Sequence, residues 1–193
     1  QAVGNEKFFR NDENYQYFLK KFGEYISPIA KIFGYVLIPN HFHFLIEIKS
    51  KDLLYNHYKQ LEISKEKSNY KNENELNYTD FVMQQFSNFF NSYTKSYNKR
   101  FNRKGALFID YLRRVLVSEE EYLKNLVLYI HQNPVHHNCC LSIEKWKYSS
   151  FNSFFSNNPS RIERNEVISW FGDLENFIQL HSLKNINSNL LNL

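Results

Sequence analysis

An α+β domain is the fold class predicted by this 193-residue sequence, on three observations. Apolar residues recur at helical spacing over 12–26, 80–97 and 118–133. A β-branched and aromatic stretch over 29–48 alternates in period two around Pro39-Asn40, and a second strand-like stretch, 111–117, follows a basic loop. No window approaches 18 uninterrupted apolar residues, and with 42% hydrophobic and 23% charged residues the chain is neither membrane-spanning nor wholly disordered in composition.

Asn11, Asp12 and Glu13 supply an N-cap and first-turn acids for a helix over 12–26 whose apolar stripe is Tyr15, Phe18, Leu19, Phe22 and Ile26. Strands over 29–38 and 42–48 then form a hairpin about Pro39-Asn40. A short helix is expected over 51–61, while 62–77, rich in Ser, Lys, Asn and Glu, has almost nothing to bury and reads as a mobile insertion. Thr79 offers the cap of a helix over 80–97 that carries Phe81, Val82, Phe86, Phe89, Phe90, Tyr93 and Tyr97, and the basic loop 98–106 with Gly105 ends it. A strand over 111–117 leads to Ser118 and Glu121, a capping box for a helix that Pro134 closes at about Asn133. Past 146–155, Val167, Ile168, Trp170, Phe171, Phe177 and Ile178 mark one or two small docked helices over 164–181, and the tail from 185 reads as frayed. The organisation predicted is a main domain over 1–150 and a C-terminal helical extension over 151–193.

Cys139 and Cys140 are adjacent and cannot easily reach disulfide geometry with one another, which points to a reducing, cytoplasmic home and to a role as apolar filler. The net charge of +4 is mild, but it is unevenly spread. Lys95, Lys99, Arg100, Arg103, Lys104, Arg113 and Arg114 face a single acid, Asp110, within 20 residues. Such a stretch is either a solvated helix end or, with Tyr93, Tyr97, Phe101 and Phe108 interleaved, a phosphate-tracking surface with rings for bases to stack on.

The residues that could carry chemistry are few. His41 and His43 are two apart on a strand, so both imidazoles project from one face while Phe42 and Phe44 project from the other. That is compatible with a structural pair or with two ligands of an incomplete metal site. Tyr129 and Asn133 are i and i+4 on the capped helix and share a face. A phenol beside an amide suits attack on a metal-polarised phosphate, and the same residues also read as a core tyrosine and a helix-end asparagine. His131, His136 and His137 read as ordinary surface or DNA-backbone contacts, His57 and His181 carry no signal, and Trp146 and Trp170 read as packing the C-terminal segment.

The block Tyr35-Val36-Leu37-Ile38-Pro39-Asn40-His41-Phe42-His43-Phe44-Leu45-Ile46 resembles the signature strand pair of single-tyrosine HUH transposases, in particular the REP-associated tyrosine transposases and their insertion-sequence relatives. Further similar stretches follow in order: Tyr93-Thr94-Lys95-Ser96-Tyr97-Asn98-Lys99-Arg100, Gly105-Ala106-Leu107-Phe108, Tyr129-Ile130-His131-Gln132-Asn133-Pro134-Val135, Trp146-Lys147-Tyr148-Ser149-Ser150, and the pair Arg164-Asn165-Glu166-Val167 and Trp170-Phe171-Gly172. The similarity spans about 5–182. Ile38 stands where relatives commonly carry Met, and the strand with which relatives begin is missing before Gln1, so residues ahead of Gln1 are expected in the native chain.

The resemblance implies a ferredoxin-like core with a mainly antiparallel sheet, the histidines on a central strand and the tyrosine on an adjacent helix. It implies Tyr129 as nucleophile, His41, His43 and Asn133 as ligands of Mg²⁺ or Mn²⁺, and single-stranded or hairpin DNA as partner, with the seven basic residues holding phosphates. The activity expected is an HUH endonuclease's: cleavage and rejoining of DNA through a 5′-phosphotyrosine link, by a monomer or a homodimer with no membrane partner. A domesticated hairpin-binding protein that does not cut, and a replication-initiator-type endonuclease, are the other readings.

Overall fold

The computed structural model describes residues 7–66, 71–108, 113–117 and 119–183. Helices dominate it: α1 (Asp12–Tyr25), α2 (Lys51–Ser64), α3 (Tyr78–Arg100), α4 (Glu120–His136), α5 (Arg164–Phe171) and α6 (Leu174–Ser182), with one hairpin, β1 (Ala30–Ile38) and β2 (His41–Ile48). No described helix is long and apolar enough to cross a membrane. The chain forms two compact units, one from 1–10, 32–46 and 109–193, the other from 11–31 and 47–108.

In the second unit α1 begins where Asn11 accepts a hydrogen bond from the Asn14 N–H, and α3 begins where Asn77 accepts from Asp80. Asn77, not Thr79, is thus the cap, because an Asn carbonyl two residues earlier already reaches the first-turn N–H groups. The helices meet through rings, with Phe18 4.8 Å from Phe89 and 4.9 Å from Tyr93 between centroids, both edge-on. Phe18 and Phe89 are wholly buried, each contributing about 1.5–3 kcal/mol. Glu13 pairs with Arg100 at the far end of the same helix pair. The expected insertion at 62–77 starts inside regular structure: α2 runs on to Ser64, and Glu62 is buried against Lys65. Residues 67–70 lie outside the described residues.

In the first unit the middle of the hairpin packs with α4, α5 and α6 around Val36, Leu37, Ile38, Leu126, Val127, Ile130, Val167 and Phe177, all buried. The edge of β1 away from β2 is occupied by two short stretches rather than by strands. Residues 148–150 exchange backbone hydrogen bonds with Tyr35 and Leu37, and Glu163 donates to the Ile32 carbonyl. The Trp146 indole N–H adds a bond to the Leu37 carbonyl.

The expected ferredoxin-like core with a mainly antiparallel sheet is therefore corrected. Among the described residues the sheet has two strands, so neither strand is central. The stretch expected as a strand at 111–117 is irregular over 113–117, with Leu116 92% exposed, and β-branched residues with no face to bury gain little from strand propensity alone. Tyr111 and Leu112 lie outside the described residues, as do Ser118 of the expected capping box and the tail from 185. Pro134 does not close α4, which continues to His136. Proline loses one intrahelical bond but keeps a helical φ, and the turn beyond it is held by the His137 N–H on the Asn133 carbonyl.

Candidate active site

Two elements of the first unit build the candidate site. The two-residue turn at 39–40 puts His41 and His43 at the start of β2, and strand alternation turns both rings to one side, 5.2 Å apart between centroids. On α4, Tyr129 and Asn133 share the face that meets them. The His41 Nε2 lies 3.1 Å from the Asn133 Oδ1, and the Tyr129 ring lies 5.5 Å from that of His43. All four residues singled out in the sequence therefore converge, although 92 residues separate His41 from Asn133.

The electrostatics follow from burial. Asn133 is wholly buried, and both histidines are held to about 4, His41 by burial and then by the nearby His137, against the Asn133 hydrogen bond, and His43 by burial and then by His41 and His137. Both rings are neutral at pH 7. His137 stacks edge-on against His41 at 4.5 Å, and His136 lies 6.4 Å from the Tyr129 ring, so two exposed histidines expected as general surface flank the site.

The donor set has a particular deficiency. His41 has amide oxygens on both sides, Asn40 Oδ1 3.0 Å from Nδ1 and Asn133 Oδ1 3.1 Å from Nε2. A neutral imidazole has one N–H, so it can donate to only one of them. The His43 Nε2 and the Asn133 Nδ2 are buried with no hydrogen-bond partner. A cation taking the His41 Nε2, the His43 Nε2 and the Asn133 Oδ1 as ligands would satisfy the orphaned His43 lone pair together with the two atoms already within 3.1 Å of each other. Adjacent ligands on an octahedral ion with bonds of about 2.1 Å sit about 3 Å apart, close to the 3.1 Å separation here. These residues fit a small divalent ion.

The fit is narrower than an HUH endonuclease centre requires, and that expectation is corrected in two respects. The described fold is helix-dominated around a two-stranded sheet, and among the described residues no group of three or more His, Cys, Asp or Glu is placed to hold a metal. Two imidazoles and one amide are what α4 and β2 offer, because the helix face that meets the strand carries Asn133 where an acid or a third histidine would complete such a group.

The basic residues fall in both units. Lys95 and Lys99 are exposed on α3, Arg100 pairs with Glu13, and Lys104 is exposed in the following loop. Arg103 turns inward on that loop, its guanidinium donating to Asn98 Oδ1 and to the carbonyls of Gly105 and Ala106. Gly105 makes the turn at a φ of +88° that a side chain would strain. Arg113 and Arg114 are exposed in the first unit.

Sequence reasoning missed His131 and His181. His131 is wholly buried, and it bridges His181 and Ser150 with hydrogen bonds of 2.8 Å each. Its position one turn after Val127 on the apolar side of α4 was the available signal. In comparisons with known proteins, no family model, no curated protein and no solved structure matches the chain.

Proposed function

We propose that this protein is a tyrosine transposase that cuts and rejoins single-stranded DNA near hairpins, of the kind its sequence motifs resemble. The observation that carries the reading is the convergence of His41, His43, Asn133 and Tyr129, from segments far apart in sequence, around polar atoms that lack partners. A phenol, two neutral imidazoles and an amide oxygen form the minimum for phosphodiester attack assisted by a divalent ion.

Tyr129 forms the new bond, from its oxygen to the scissile phosphorus, as the bond from phosphorus to the 3′ oxygen breaks. The phenol proton leaves to a neighbouring base or to water, and the departing 3′ oxygen takes up a proton to end as a hydroxyl. The products are a 5′-phosphotyrosine link and a free 3′-OH. Because one phosphodiester replaces another, a 3′-OH attacking the link restores the strand without ATP. His41, His43 and Asn133 would hold Mg²⁺ or Mn²⁺, which would supply positive charge to offset that on the phosphate oxygens. Imidazole donors also suit Mn²⁺.

The partner proposed is single-stranded DNA bearing a hairpin, with Lys95, Lys99, Lys104, Arg113 and Arg114 contributing phosphate contacts, and the compartment proposed is the cytoplasm, where the adjacent Cys139 and Cys140 would stay reduced. Incubation with 3′-labelled hairpin-bearing single strands and Mg²⁺ or Mn²⁺, followed by a denaturing gel, tests the reading. A labelled band at the mass of the protein plus the 3′ fragment is expected. Retention of DNA with no such band across a panel of hairpins points instead to binding without cleavage.

A further inference from the structure

On α4, His131 is two residues from both Tyr129 and Asn133, about 200° around the helix at 100° per residue, so it faces the opposite side. There it joins a chain of hydrogen bonds whose direction is set at both histidines, and whose Ser150 hydroxyl has the Tyr35 carbonyl at 3.2 Å as a second acceptor. The His181 Nδ1 lies 2.7 Å from the Phe177 carbonyl four residues back in α6, and since a carbonyl only accepts, this nitrogen carries the proton and Nε2 a lone pair. The His131 Nδ1, 2.8 Å from that Nε2, must donate, which leaves the His131 Nε2 to accept the Ser150 hydroxyl at 2.8 Å. The Tyr35 backbone N–H then donates to the Ser150 Oγ at 2.9 Å. The chain runs from α6 through α4 to β1, with one proton per link and both rings neutral.

Its surroundings hold it in place. Ser150 is wholly buried, its own N–H bonds the Tyr35 carbonyl, and the rings of Phe151 and Phe154 stand edge-on to His131 at 5.5 and 5.6 Å. Gly34 adjoins the chain on β1, where a Cβ would lie 3.5 Å from the Ser150 Oγ and 4.0 Å from the His131 Nε2.

We infer that the Tyr35–Ser150–His131–His181 chain is a positioning device that sets the rotation of α4 about its own axis and thereby aims Tyr129 and Asn133 at the His41–His43 pair. Apolar packing alone is non-directional and tolerates small rotations of a helix, whereas hydrogen bonds weaken steeply with angle. α4 is gripped on opposite faces, by β1 through Ser150 and by β2 through the Asn133–His41 contact, and the two strands are joined by the turn at 39–40. A nucleophile displaced by about 1 Å loses about a hundredfold in rate. His131, Ser150 and His181 are positioning residues on this account, and their catalytic consequence rests on the reading of Tyr129 as nucleophile.

The test uses the full chain with Ser150→Ala, which deletes one hydroxyl, and His181→Gln as a second variant should the first fail to fold. Three quantities are measured: adduct formation with the labelled hairpin, hairpin affinity, and the nuclear Overhauser contact between the Tyr129 and His43 ring protons. The expected result is a tenfold or greater fall in adduct rate with affinity changed less than threefold, together with a weakened Tyr129–His43 contact. An unchanged ring contact in a folded variant, or a rate that falls only in proportion to the folded fraction, overturns the inference. If the unmodified protein forms no adduct, the transposase reading fails by itself, and the ring contact alone decides the positioning role.

Discussion

α4 separates two histidine pairs that look alike in composition and differ in completion. On one face His131 and His181 are buried, neutral, and have each ring nitrogen engaged. On the other, His41 and His43 are likewise held neutral, but the His43 Nε2 and the Asn133 Nδ2 have no partner. Burying a polar atom without a hydrogen bond costs about 1–3 kcal/mol, so a protein retains one where something else uses it. The satisfied pair reads as scaffold and the unsatisfied one as a site, a distinction that neither residue type nor burial reveals.

The comparison breaks most visibly at Tyr129. Tyr129→Phe removes one oxygen and no phosphate-binding charge, and is expected to abolish the covalent adduct while hairpin affinity stays within about twofold. A Phe variant that still links to a 5′ end moves the nucleophile to another residue and detaches the unsatisfied pair from the chemistry.

Next in size is the stability contrast between the pairs. His131→Leu leaves the His181 Nε2 unpaired in the core, while the Ser150 hydroxyl keeps its bonds to the Tyr35 backbone, for an expected loss of about 1–3 kcal/mol. His43→Leu removes an atom that already has no partner, and is expected to stay within about 1 kcal/mol of the parent while losing adduct formation. Urea denaturation of the two variants measures both, and equal losses would erase the distinction.

Acid sharpens it further. The His181 pKa is lowered to about 4 in the folded chain, chiefly by burial, against 6.5 when unfolded. Between these values the unfolded chain binds a proton that the folded chain does not, so stability rises with pH across about 4 to 6.5, and this contribution is level above and below that window. One such group gives a slope of about 1.4 kcal/mol per pH unit at the middle of the window. His181→Gln is expected to flatten the pH dependence of unfolding by one proton, and an unchanged slope would mean that another group carries it.

The smallest effect belongs to the basic loop, where a second pair of neighbours differs in the same manner. Lys104 is exposed, and Arg103 is engaged with its own loop. Lys104→Ala is expected to lower the salt dependence of single-strand binding by about 0.7 in log–log slope with no change in melting temperature. Arg103→Ala is expected to lower melting temperature as well, because the bonds from its guanidinium to Asn98 and to the Gly105 and Ala106 carbonyls are lost.

What was legible in the sequence was what periodicity encodes. Alternation put His41 and His43 on one side of a strand, and the i, i+4 spacing put Tyr129 and Asn133 on one side of a helix. Helical stripes located α1, α3 and α4 to within a few residues because their buried faces are continuous, aromatic on α1 and α3 and aliphatic on α4. The hairpin was legible as well, to within a residue, whereas the larger sheet expected around it was misread. Tyr111 to Val117 is rich in strand-forming residues, yet Val115 and Leu116 are exposed. His131 was also misjudged, since a histidine's fate depends on the partners folding brings to it, here Ser150 and His181, which lie 19 and 50 residues away.

The division of the first unit along the chain has a kinetic consequence. Its hairpin segment, 32–46, precedes the whole of 47–108, whereas α4, Ser150 and His181 follow it. Closing such a loop costs entropy that grows only with the logarithm of its length, so the interruption is thermodynamically mild. During synthesis, however, it imposes an order. Residues 11–31 and 47–108 are all available before Tyr129 is made, and domains fold as units as they emerge. Tyr129 and Asn133 then emerge ahead of the residues that hold their helix, and the contacts of His181 form only when α6 has been translated. A nascent chain therefore holds its phenol and its imidazoles for some seconds, at about 5–20 residues per second, before the last hydrogen bond that aligns them can close.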